Sequence, residues 1–91
     1  MINILSFISR NPDIISTDIH NETVAISIAS GNYYTFTATS YEIWRKIIDP
    51  VRVGDLIAFL EESYASDQAV IKEDTLKFLA HMHDAGLIRV S

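Results

Sequence analysis

The hydrophobic pattern of this chain changes period once, between Thr37 and Thr39. Before that point apolar residues alternate, and after it they recur every third or fourth position. Alternation is the mark of half-buried strands, and the longer period is the mark of helices with one buried side. A chain so divided is expected to fold as a small sheet followed by helices, an α+β arrangement. In "TVAISI", Val24, Ile26 and Ile28 alternate with Thr23, Ala25 and Ser27, which predicts a half-buried strand. "DIISTDI" precedes it across a turn at His20-Asn21-Glu22. Ser30-Gly31-Asn32 forms the next turn, with Gly31 free to take a positive φ. Tyr33 to Thr37 then makes a third antiparallel strand. "INILSFI" is expected to add a further strand or to dock as an arm.

Thr39-Ser40-Tyr41-Glu42 reads as a capping box, with Thr39 as N-cap and Glu42 reaching back. The first predicted helix runs to about Ile48, with Ile43, Trp44, Ile47 and Ile48 on its apolar side, and Asp49-Pro50 stops it. A second spans roughly Val53 to Tyr64, with Leu56, Ile57, Phe59 and Leu60 at helical spacing. Ser66 or Asp67 caps the third, from about Gln68 to Ala85. Gly86 is suited to ending it in a left-handed conformation, with Leu87 folded back on the last turn. "LIRV" finishes as a short extended segment. The expected whole is one winged-helix-like domain over residues 1–91, a three-stranded antiparallel sheet followed by three helices.

Composition narrows the function. The 91 residues suffice for one small core, and the 48% hydrophobic content favours folding over disorder. With no cysteine there is no disulfide, thiolate metal site or Cys nucleophile, which fits a cytoplasmic protein. No apolar run is long enough to span a membrane. "MINILSFISR" lacks the basic start and small-residue end of a signal peptide. The formal net charge is −5, and residues 55–91 carry seven acidic and three basic side chains. A winged-helix nucleic-acid binder would need a basic recognition helix, whereas Asp67 to Ala85 offers two lysines against four acids.

Catalytic signals are absent. His81 and His83 lie two apart, so on a helix they diverge by about 200° and cannot share a metal. His20 has no motif around it, and Glu61-Glu62 and Glu73-Asp74 read as solvated helix faces. No Gly-rich loop, nucleophile set or carboxylate dyad stands out. No cofactor is expected. Trp44 reads as core, and Tyr64 as a plug between helices. Tyr33 and Tyr34 differ, because adjacent strand residues point to opposite faces and one must be partly outside. Their strand is also a sheet edge with no Pro or Lys to blunt it. Asn32, Tyr33, Tyr34, Thr35 and Phe36 are therefore candidates for pairing with an extended peptide. The third predicted helix turns Ile71, Thr75, Leu79 and Met82 to the core. A neighbouring stripe of Val70, Asp74, Lys77, Phe78 and His81 mixes apolar and charged groups, as a wider core side or a groove wall would. An open edge would also permit a weak homodimer.

The ordered set Gly31, Tyr33-Tyr34, Phe36, Ile43-Trp44, Pro50, Val53, Leu56, Tyr64, Asp74, Leu79 and Gly86-Leu87 resembles the PqqD-like family, from about Asp13 to Val90. That family often has Asn after the position of Phe36, where this chain has Thr37. Its members are recognition elements for ribosomally made, modified peptides. The resemblance implies a non-catalytic domain that captures a precursor's leader as an added β-strand beside the third strand, in a groove walled by the third helix. A small free-standing version is similar to the leader-binding half of the split B protein of lasso peptide biosynthesis. A separate leader peptidase and then a macrolactam cyclase would be its partners, and the leaders would carry a Tyr and a Pro at fixed spacing. A PqqD-type chaperone for a radical SAM enzyme stays open beside it. So do a nucleic-acid binder and a small structural subunit of another complex.

Overall fold

The computed structural model describes residues 2–65 and 67–91. The elements run β1 (Phe7–Arg10), β2 (Ile14–Ile19), β3 (Glu22–Ser27), β4 (Tyr33–Phe36), α1 (Ala38–Lys46), β5 (Val51–Arg52), α2 (Val53–Ser63), α3 (Gln68–Asp84) and β6 (Ile88–Val90). The expected meander is present as β2-β3-β4. A second three-stranded sheet, β5-β1-β6, joins the two ends of the chain. The N-terminal segment thus does both things expected of it. Phe7–Arg10 is a strand, and the residues before it dock on α2. There Ser6 and Ile4 carbonyls accept hydrogen bonds from the Val53 and Gly54 N–H groups, both at 2.9 Å, and so satisfy donors that every helix start leaves open.

The β2-β3 turn is tight because His20 and Asn21 both take positive φ, 50° and 63°. That pairing gives a hairpin the twist its strands require. The β3-β4 turn closes through Gly31 at φ 74°, whose N–H donates to the Ser27 carbonyl at 2.8 Å.

The face that β3 buries reverses what its hydrophobicity suggests. Thr23 and Ala25 are fully buried and Ser27 is nearly so, while Val24 and Ile26 are only partly covered. Ile28 lies beyond the strand and is exposed. The inner face has little room, because the Phe36 and Trp44 rings stack over the core at 4.9 Å between centroids. Small side chains fit beneath them, and Thr23 satisfies its hydroxyl by donating to Asp18. Ile15, Ile19 and Tyr33 share the outer face and are exposed.

Helix α1 starts earlier than expected, which displaces the predicted cap. Thr37, not Thr39, is the N-cap residue, with extended φ −134° and ψ 160°. Ser40 Oγ accepts from the Thr37 N–H at 2.9 Å and donates to the Thr37 carbonyl at 2.7 Å. Ala38 turns the chain at φ 50°, so the helix begins two residues before the box formed by Thr39 and Glu42 could act. At the other end Ile47 is the C-cap, and Ile48 is exposed rather than on the buried side. Helices α2 and α3 match expectation closely. Asp67 caps α3 by accepting from Ala69 and Val70 N–H groups, and Ser66 lies outside the described residues. At its C-terminus Gly86, at φ 77°, donates to the His83 carbonyl and Leu87 to that of Met82, a Schellman closure.

Two outcomes follow for stability, both measurable by urea unfolding. Ala25→Leu overfills the inner face and should cost about 1–3 kcal/mol, whereas Ile26→Thr on the outer face should cost less. Ser40→Ala should lose about 1 kcal/mol with the cap, and Thr39→Ala should change stability by less than about 0.5 kcal/mol.

Candidate functional site

Strand β4 is the edge of its sheet, with β3 on one side and no strand on the other among the described residues. Its register decides which backbone groups are free. Tyr33, Tyr34, Thr35 and Phe36 face Ile26, Ala25, Val24 and Thr23. One step further in the same register, the Ser27 N–H donates to the Asn32 carbonyl at 3.0 Å. Opposed residues in an antiparallel pair alternate between bonded and non-bonded. Tyr34 and Phe36 therefore bond to β3, and the N–H and C=O of Tyr33 and Thr35 point out from the open edge.

Side chains alternate in the same rhythm. Phe36 is buried and Tyr34 half-buried on the inner face, while Tyr33 is 72% exposed on the outer face. The two tyrosines thus split the work of an edge. Tyr33 offers its backbone outward, and Tyr34 offers its ring inward.

Along α3 runs a line of three shallow hollows, the first against β4, the second against the start of α1, and the third against α1 and the end of α2. The first, about 280 Å³, lies among Tyr34, Phe36, Phe78 and His81. The second, about 310 Å³, is bounded by Thr39, Ser40, Ile43, Asp74 and Phe78. The third, about 180 Å³, is bounded by Thr39, Tyr64, Val70, Ile71 and Asp74. Phe78 divides the first hollow from the second, and Asp74 borders both the second and the third. The wall is stiff because Phe78 meets Phe36 edge-on at 6.4 Å, and Phe36 is stacked on Trp44.

Of the residues singled out from sequence, Tyr34, Phe36, Val70, Asp74, Phe78 and His81 gather around these hollows. Tyr33 and Thr35 supply the free edge. Two stand apart. The Asn32 carbonyl closes the hairpin, and Lys77 points to Glu73, with its Nζ 3.1 Å from the carboxylate, and lines none of the three hollows. Lys77 and Asp74 are three residues apart on the helix, yet Lys77 turns toward solvent. Thr39 and Tyr64 were missed. The first reads in sequence as a helix cap and the second as a structural plug.

No group of three His, Cys, Asp or Glu side chains among the described residues could hold a metal. No helix among them is long and apolar enough to cross a membrane. Away from the groove, burial lowers the Arg10 guanidinium pKa, and Asp18 partly opposes the shift.

Residues 22–88 match the family model for coenzyme PQQ synthesis protein D (PqqD). Among solved structures the fold is similar to TbiB1 in complex with the TbiA(beta) leader peptide. The TM-score is 0.83 at 20% identity, over 89% of this chain and 94% of that one. No curated protein matches the chain. Because the family match runs from the start of β3 through β4 and all three helices to the first residue of β6, the chain belongs to the PqqD family.

Proposed function

We propose that this protein is a non-catalytic recognition domain for the leader of a ribosomally made precursor peptide. The leader adds as a strand on β4, and its alternate side chains enter the hollows against α3. The carrying observation is the coincidence of a free edge at Tyr33 and Thr35 with a hollowed, rigid wall beside it. Strand addition supplies affinity through the backbone, and the pockets supply selection. TbiB1, similar in fold, was solved with a leader peptide bound, which supports the same use of the fold here.

In this reading the domain presents its guest to enzymes that carry the chemistry. A separate leader peptidase and a macrolactam cyclase are the partners of a lasso pathway. A PqqD-type chaperone serving a radical SAM enzyme is the second reading, favoured by the family model's own description. Nucleic-acid binding has little support, because Asp67, Glu73, Asp74 and Asp84 are all exposed on or beside α3. Such a surface repels phosphates.

The test uses the leader of a precursor peptide encoded beside this gene. At saturation, amide exchange at Tyr33 and Thr35 should slow. Unchanged exchange at both sites would remove the strand-addition reading. Thr35→Pro deletes an outward donor without touching the β3 ladder. It should weaken leader binding about tenfold or more, the size of one lost hydrogen bond plus a distorted edge, with little change in melting temperature. In fluorescence polarisation, Asp74→Ala should weaken binding by about 1–3 kcal/mol. Lys77→Ala should match wild type, because that side chain faces Glu73 and solvent.

A further inference from the structure

Asp74 occupies an unusual place on the groove wall. It borders two hollows whose other walls are apolar or hydroxyl-bearing, among them Ile43, Phe78, Val70 and Tyr64. The ion pairs among the described residues are Arg52–Asp55 and Lys77–Glu73, and Asp74 belongs to neither. Its carboxylate also takes no part in the side-chain hydrogen bonds of the described residues. The nearby groove residue able to carry positive charge is His81, two turns along α3 and lining the first hollow.

In the free protein this carboxylate is exposed and solvated. A peptide strand laid over the groove strips part of that water away. A neutral apolar guest leaves the charge uncompensated, which is unfavourable, whereas a cationic guest side chain replaces the lost water with a charge-assisted hydrogen bond. Lys and Arg suit the shape as well as the sign. Their aliphatic stems can lie along Ile43 and Phe78 while the head group reaches Asp74.

Spacing fixes where that residue stands in the guest. Four residues of α3, a rise of about 6 Å, separate Phe78 from Asp74. Residues on the same face of a strand are about 6.6–6.8 Å apart. Successive turns of the wall therefore meet alternate residues of the guest. The hollow among Tyr34, Phe36, Phe78 and His81 contains no acid, so it takes the apolar member.

We propose that the groove is charge-selective. It takes an extended peptide with an apolar side chain in the Tyr34–Phe78–His81 hollow and, two residues along, a Lys or Arg paired with Asp74. The proposal rests on the strand-addition reading above.

The test is selection from a display library of random linear peptides against wild type, Asp74→Asn and Asp74→Lys. Peptides recovered on wild type should be enriched in Lys or Arg two residues from an apolar position. Those peptides should bind Asp74→Asn about tenfold more weakly or worse, and Asp74→Lys should shift enrichment to Asp and Glu at the same position. Wild-type binders without a basic preference, or an unchanged preference on Asp74→Lys, overturn the charge rule. If those binders still slow exchange at Tyr33 and Thr35, the strand-addition reading stands without it. Recovery of no binder on wild type overturns both.

Discussion

The structure depends on Trp44. Its ring is fully buried and stacked on Phe36 of β4, and its indole N–H donates to Ser16 Oγ of β2 at 3.2 Å. Its carbonyl accepts from Arg10 of β1 through Nε at 2.9 Å and Nη2 at 2.6 Å. The same guanidinium lies 4.6 Å from the centre of the indole. One residue of α1 thus touches both sheets. Arg10 reaches it at the cost of partial desolvation, which the ring face, the carbonyl and the nearby Asp18 offset. The hydrogen bonds also satisfy a carbonyl near the end of α1, where helices leave acceptors open.

The groove inherits its rigidity from this hub. Trp44 holds Phe36, and Phe36 holds Phe78. The outer wall of the site is therefore supported by the same stack that closes the core. On the opposite side, β4 is fixed by pairing along its whole length with β3. Its free groups are held in place, which under the proposed strand addition lowers the entropy lost on association.

The sequence made the helices legible because their signals are local. Asp67 before α3 and Gly86 after it act within one turn of the chain, and both behave as their residue types dictate. The edge position of Tyr33 and the inward ring of Tyr34 follow from strand alternation once the meander is assumed. What could not be read depends on distant atoms. Helical spacing grouped Lys77 with Asp74, but whether a rim lysine turns inward depends on competition with Glu73. Thr39 and Glu42 had the right spacing for a cap, yet the backbone turned at Ala38 and made Thr37 the boundary. The two residues of β5 are too few to carry a period, and they pair only because β1 is present.

The small residues along the inner side of β3 also bear on how the hairpin finds its pairing. A slip of one position would carry Val24 and Ile26 inward and conceal more hydrocarbon than the native arrangement does. Water aversion alone would favour that slip. Steric exclusion opposes it, since the space over Thr23 and Ala25 is already filled by the aromatic stack. The strand therefore lacks the information to orient itself in isolation. Its orientation is dictated by an indole seventeen or more positions downstream, so the meander is specified by the helix that follows it.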